Sequence, residues 1–139
     1  MNDMQDCLFC KIVRKEIPAA IVFENETVVA FLDIKPVNPG HVLIVPRAHS
    51  ADYVTTEDSI VCEIAVTAKR IGQAIIQSLW APGFNLGVNN GRVAGQLVDH
   101  VHLHVMPRFE NDGRELWHGK PYAEGEMEGV AKKLRAALS

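Results

Sequence analysis

Three of the chain's six histidines fall in one short stretch, His100-Val101-His102-Leu103-His104-Val105-Met106. Side chains alternate between the two faces of a β-strand, so a strand here puts His100, His102 and His104 on one face, successive members roughly 7 Å apart. Val101, Leu103 and Val105 then face the other way and can pack against a helix. Burying three imidazoles for packing alone is unfavourable unless each finds a polar partner, so the row is read as chemistry. Two chemistries compete. The three rings could hold a metal ion together, although three in a row reach one ion less easily than two. Alternatively, a neutral imidazole could act as a nucleophile, because histidine attacks near neutral pH and departs again as a good leaving group.

Cys7-Leu8-Phe9-Cys10 has the spacing of one half of a zinc site. The chain has three cysteines. That odd, low count, behind a polar start (Met1-Asn2-Asp3-Met4-Gln5-Asp6) without a basic n-region or an apolar h-region, argues against a disulfide framework. In a reducing compartment the pair suggests a metal or a redox couple, and the βαβ unit expected beside a redox pair does not follow it. Cys62 is read as a small core residue on a helix.

The elements that must position these groups can be placed from pattern. Residues 9–15 read as a short helix. Residues 20–24 and 27–33 read as strands joined by a tight turn at Glu24-Asn25-Glu26. A loop with two prolines and a glycine, 35–40, leads into the apolar strand 41–46. Residues 57–79 carry Ile60, Ile64, Thr67, Ala68, Ile71, Ile75 and Leu79 at helical spacing, with Thr55 or Thr56 as the expected cap and Pro82-Gly83 as the stop. Strands follow at 84–88 and 100–107, separated by the glycine-rich loop 89–96. Residues 123–138 read as a terminal helix with Val130, Leu134 and Leu138 along one side. Hairpins with an inserted long helix give an α+β class: a mainly antiparallel five-stranded sheet, one long helix and a C-terminal helix.

A length of 139 residues suits a single domain spanning 1–139. The formal net charge of -3 leaves no basic footprint for a nucleic acid, while a small phosphorylated ligand needs only local donors. No apolar run of about 18 residues suggests a membrane span, and a cytoplasmic location is the expectation.

At these residues the chain resembles the histidine triad (HIT) family. Residues 100–106 match its motif of three histidines alternating with apolar residues. Phe31-Leu32-Asp33-Ile34, Pro39-Gly40-His41-Val42-Leu43-Ile44-Val45-Pro46, Val88-Asn89-Asn90-Gly91 and Ala94-Gly95-Gln96 match in order and distance. The resemblance covers residues 7 to about 109 and implies a HIT-like fold and hydrolysis at the α-phosphate of a nucleotide derivative, with a purine nucleotide as substrate. By this resemblance, His102 attacks phosphorus to form a nucleotidylyl-histidine, His104 serves the phosphate or leaving group as general acid, and His41 helps orient the nucleophile. Asn89, Gly95 and Gln96 would hold the phosphate, Asp33 the ribose hydroxyls, and Leu8, Phe9, Ile12 and Ile34 the base.

A bacterial branch of the family, and the related galactose-1-phosphate uridylyltransferases, pair such a Cys-x-x-Cys with two histidines. Carried onto this chain, that pattern gives a closed structural zinc site of Cys7, Cys10, His49 and His100, leaving His102 and His104 for catalysis. Members are commonly homodimers joined through a sheet edge and the long helices. Position 97 is Leu where the phosphoramidase branch often has serine. Met106-Pro107-Arg108 looks more like the dinucleotide polyphosphate hydrolases, and residues 7–17 more like the phosphoramidases, so the leaving group stays open between an amine and a nucleotide. The alternative function is a nucleotide-binding regulator or scaffold with little turnover.

Overall fold

The computed structural model describes residues 4–139. Its elements are α1 (Leu8–Val13), β1 (Ile21–Glu24), β2 (Val28–Leu32), β3 (Val42–Pro46), α2 (Asp58–Leu79), β4 (Gly83–Val88), β5 (Leu103–Arg108) and α3 (Glu126–Leu138), with a 3-10 turn at Arg92–Ala94. The five strands form one antiparallel sheet in the order β1-β2-β3-β5-β4, as the α+β reading expects.

The β1–β2 hairpin closes on Asn25, whose Oδ1 accepts from Thr27 N at 2.8 Å and Val28 N at 2.9 Å. This side-chain mimic of a backbone turn is the reason asparagine suits the position. The central strands β2 and β3 are covered on both faces. Val28, Ala30, Val42 and Ile44 pack with Ile64, Ala68, Ile71 and Ile75 of α2. Val29, Phe31, Leu43 and Val45 pack with Cys7, Phe9, Cys10 and Ile12 on the opposite side. A strand buried on both faces has no polar alternation, which explains the continuous apolar runs. Gly72 brings α2 close to the sheet: a Cβ there would lie 2.3 Å from the Phe84 ring.

Four expectations need correction. No threonine caps α2. Glu57 holds the cap position without a side-chain bond, and the Thr55 and Thr56 hydroxyls donate to Asp52 instead. The end of the helix is as expected: it stops at Leu79, and Trp80 takes the left-handed region at φ 54 ahead of Pro82 and Gly83. Cys62 is exposed, not core. Finally, β5 starts at Leu103, so His100 and His102 precede the strand, because Val101 N donates to Ser50 O at 2.8 Å rather than to a neighbouring strand. α3 begins at Glu126, later than expected, and buries none of its residues. Among the described residues, no helix is long and apolar enough to cross a membrane.

Candidate active site and metal centre

α1 carries two thiols onto the same sheet face as the histidines. Cys7 sits at its cap, its Sγ accepting from Cys10 N at 3.4 Å. One turn of helix then sets both sulfurs toward the start of the histidine stretch. Cys7 Sγ lies 3.3 Å from His100 Nδ1, Cys10 Sγ lies 3.5 Å from the same nitrogen, and Cys10 Sγ lies 3.3 Å from His49 Nδ1. All four donor atoms fall within 4.8 Å of one another. Tetrahedral zinc bonds of about 2.3 Å to sulfur and 2.0–2.1 Å to nitrogen put neighbouring sulfur and nitrogen roughly 3.5 Å apart, so the spacing fits. His100 is fully buried, and its Nε2–H can only donate to the Pro46 carbonyl at 2.9 Å. The lone pair is therefore on Nδ1, toward the sulfurs, with the outer partner that metal-ligating histidines usually have. Burial pushes His100 down to about 4, while burial together with the neighbouring Cys7 pushes Cys10 up to about 11. Both stay neutral until a cation makes the thiolate favourable.

His102 and His41 have their tautomers set by backbone groups in the same way, and His41 in turn sets that of His104. His102 Nδ1 lies 2.8 Å from the His100 carbonyl. A carbonyl only accepts, so Nδ1 carries the hydrogen and Nε2 holds the free lone pair. Val37 N donates to His41 Nδ1 at 3.0 Å, so the His41 hydrogen is on Nε2. That hydrogen goes to His104 Nδ1, 2.9 Å away, which puts the His104 hydrogen on Nε2. There it is buried and has no partner among the described residues. The His102 and His104 rings are 5.0 Å apart between centroids. A free nucleophilic nitrogen and an unused N–H donor thus stand side by side.

Asp33 lies beside this row, 3.8 Å from His41 Nε2. Burial holds His41 and His102 below their ordinary values and His104 down to about 4, with the Asp33 charge opposing in each case. Asp33, His41 and His104 also stand close enough to suggest a second metal site. Both nitrogens of His41 are engaged in the hydrogen-bond chain, however, leaving no lone pair for an ion.

The other residues expected at the site lie in different settings. Phe9 is buried and meets His102 edge-on at 5.0 Å, and Ile12 is buried in the core beneath it. Leu8 is half exposed, and Ile34 is 93% exposed. Gly95 is at φ +100, and a Cβ on it would meet Asn89 Nδ2 at 3.2 Å, so glycine is what lets the asparagine lean over the loop. The Gly95 amide donates within the turn to Arg92 O. Gln96 is not a free phosphate donor. Its Nε2 donates to Ala51 O and Val98 O at 2.7 and 3.0 Å, and its Oε1 accepts from Gly91 N at 2.9 Å. It clamps three loop segments, and its effect on a phosphate would be through loop shape. His118, which belongs to neither the row nor the thiol cluster, is exposed beside Glu115.

Sequence reasoning missed the groups that set the tautomers, Pro46 O, His100 O and Val37 N. They belong to the backbone, and no side-chain motif can reveal them.

The HIT domain family pattern matches residues 14–111. An uncharacterized HIT-like protein of Methanocaldococcus jannaschii is 45% identical over 129 residues, which cover 93% of this chain and 98% of that protein. The adenosine 5'-monophosphoramidase of Schizosaccharomyces pombe is 34% identical over 134 residues, covering 95% and 98%. A zinc-bound histidine triad family protein from Mycobacterium smegmatis superposes with a TM-score of 0.77 at 34% identity, covering 96% of this chain and 98% of that one.

Proposed function

The chain belongs to the histidine triad family, and from that premise we propose that it hydrolyses nucleotide derivatives at the α-phosphate through a covalent bond to His102. One observation carries the reading: His102 has its Nε2 lone pair free while the adjacent His104 has an unpartnered N–H. Covalent phosphoryl transfer needs that pair of opposite groups, a nucleophile and an acid.

Taking adenosine 5'-phosphoramidate as substrate, His102 Nε2 attacks phosphorus. A nitrogen–phosphorus bond to the ring forms as the bond to the leaving nitrogen breaks. His104 Nε2–H supplies the proton that the departing amine takes, and the imidazolate this leaves is held by the His41 Nε2–H on its Nδ1, beside the His102 ring, until a proton returns. The ring left on phosphorus is cationic, and the His100 carbonyl on its Nδ1–H together with the nearby Asp33 charge favours that state. Water then attacks phosphorus, returns a proton to His104, and releases AMP with His102 restored. Asp33 would accept from the ribose hydroxyls, Asn89 would donate to the phosphate, Gly95 and Gln96 would shape the loop under it, and the exposed Leu8 and Ile34, backed by Phe9 and Ile12, would receive a purine. Similarity to a named phosphoramidase makes an amine the first leaving group to test.

Cys7, Cys10, His49 and His100 would hold a structural zinc ion, with all four positions filled by protein. Bound there, zinc supplies a cross-link between α1 and the histidine stretch. A reducing, cytoplasmic setting would keep both thiols available for it. A homodimer belongs to the same reading: β4 is a sheet edge with Leu86 exposed on it, and an open edge calls for a cover.

The test is AMP release from adenosine 5'-phosphoramidate and from diadenosine tetraphosphate, in parallel, by the wild type and by His102→Ala. Release by the wild type and its loss in the variant support the reading, and the faster substrate names the leaving group. No turnover of either substrate, or an equally active variant, overturns it in favour of a nucleotide-binding regulator.

A further inference from the structure

The His41–His104 pair is held by a loop, and that loop is gripped by one buried carboxylate that lies far from it in sequence, just past the end of β5. The Asp112 side chain, 7% exposed, accepts from Arg108 Nε at 2.8 Å, Arg108 Nη2 at 3.0 Å, Phe109 N at 3.1 Å and Arg114 N at 3.0 Å. Those four bonds close the turn after β5. A fifth crosses to the loop between β2 and β3, where Asn38 Nδ2 donates to the same carboxylate at 3.0 Å. The same Nδ2 also donates to Pro107 O at 2.9 Å. Arg114, positioned by its own bond to Asp112, donates from Nη2 to Val37 O at 2.6 Å.

Both gripped residues act directly on His41. The Asn38 carbonyl accepts from His41 N at 3.1 Å, and Val37 N donates to His41 Nδ1 at 3.0 Å. The path from carboxylate to acid is thus continuous: Asp112 to Asn38 and Arg114, these to the Val37–Asn38 backbone, that backbone to His41, and His41 to His104. Closing the turn after β5 does not require the bond to Asn38. Charge-assisted bonds are stiffer anchors than neutral ones, and a charged hub holding a loop that in turn holds a tautomer is a means of keeping a proton on one nitrogen.

We propose that Asp112 is a positioning residue: through Asn38 and Arg114 it fixes the Val37–His41 loop so that His41 keeps its Nε2–H on His104, and His104 keeps its free N–H for the substrate. The effect on rate rests on the phosphoryl-transfer reading above, whereas the effect on the His104 tautomer does not.

The experiment compares full-length wild type, Asp112→Asn, His41→Gln and the double variant. The wild type should show one His104 tautomer by nitrogen-15 NMR of the histidine rings, with the hydrogen on Nε2. Asp112→Asn, nearly isosteric but uncharged, should give a mixture. Its kcat on adenosine 5'-phosphoramidate should fall roughly tenfold with KM changed less than about twofold, as for lost alignment rather than lost binding. In the His41→Gln background the same substitution should add little, because the path already ends there. An unchanged tautomer and kcat in folded Asp112→Asn would overturn the proposal. So would an equal fold-loss in both backgrounds, which marks a merely structural residue. If Asp112→Asn fails to fold, Asn38→Ser, which cuts only the crossing bond, is judged by the same criteria. If the wild type releases no AMP, the phosphoryl-transfer reading fails, and the tautomer comparison still decides this one.

Discussion

His41 Nε2 and His104 Nδ1 stand 2.9 Å apart, and the Val37 amide on the far side of His41 decides which of the two donates. The result is an acid with its hydrogen directed away from His41. If that hydrogen serves the leaving group, its value depends on how badly the leaving group needs a proton. His104→Ala is expected to lose about 10²–10⁴-fold in kcat on adenosine 5'-phosphoramidate, the usual range for a lost general acid. On the p-nitrophenyl ester of AMP, whose leaving group departs as a stable anion, the loss should be under about tenfold. Equal losses on both substrates would show that His104 serves the phosphate rather than the leaving group.

The sequence made the faces of the fold legible and left its fine geometry hidden. The apolar stripe of Ile64, Ala68, Ile71 and Ile75 does face the sheet, because a 3.6-residue period leaves one side to bury. Cys7, Cys10, His49 and His100 do converge, although 39 residues separate Cys10 from His49. That grouping came from the family resemblance, since spacing alone shows half a site. The start of β5 was misplaced because alternation cannot tell a strand from its extended approach: His100 and His102 alternate correctly yet precede the ladder. Gln96 looked like a phosphate donor, but its amide is engaged by Ala51, Gly91 and Val98, partners that depend on how three loops meet.

The metal centre predicts a particular order of loss. Purified protein should contain about one zinc per chain by elemental analysis, since one closed site takes one ion. Cys10→Ser should lose the metal and melt at a lower temperature, because binding free energy at such a site is folding free energy. Gentle chelation should likewise lower the melting temperature, while turnover at 25 °C stays above about half until unfolding begins. Immediate loss of turnover at an unchanged melting temperature would instead place the ion in the chemistry.

α2 packs closely on the sheet at Gly72, where a Cβ would fall 2.3, 2.6 and 2.9 Å from three atoms of the Phe84 ring. The ring belongs to β4 and cannot yield without leaving its place between helix and sheet. Gly72→Ala gains helix propensity, worth about 1 kcal/mol at most, and incurs overpacking of about 1–3 kcal/mol. Net destabilisation is expected, read from the urea midpoint at unchanged slope. A midpoint at or above the wild type would show that Phe84 has room to move.

Acid should weaken the fold through the same histidines. Burial pushes His104 from its ordinary 6.5 down to about 4 and lowers His41 as well. The folded state therefore binds fewer protons than the unfolded chain between about pH 6.5 and pH 4. Stability rises with pH wherever the unfolded state binds more protons, so the contribution of these groups is complete above about 6.5 and is lost as pH falls toward 4. Urea midpoints should drop between pH 7 and pH 5. In His104→Gln one buried titrating ring is gone, so the drop should be smaller in the variant even if its midpoint at pH 7 is lower. Other acid-sensitive groups, including the thiol and histidine cluster, contribute to both proteins, and the difference between the two slopes isolates His104. Equal slopes would mean that His104 takes up a proton as readily folded as unfolded, contrary to its burial between His41 and His102.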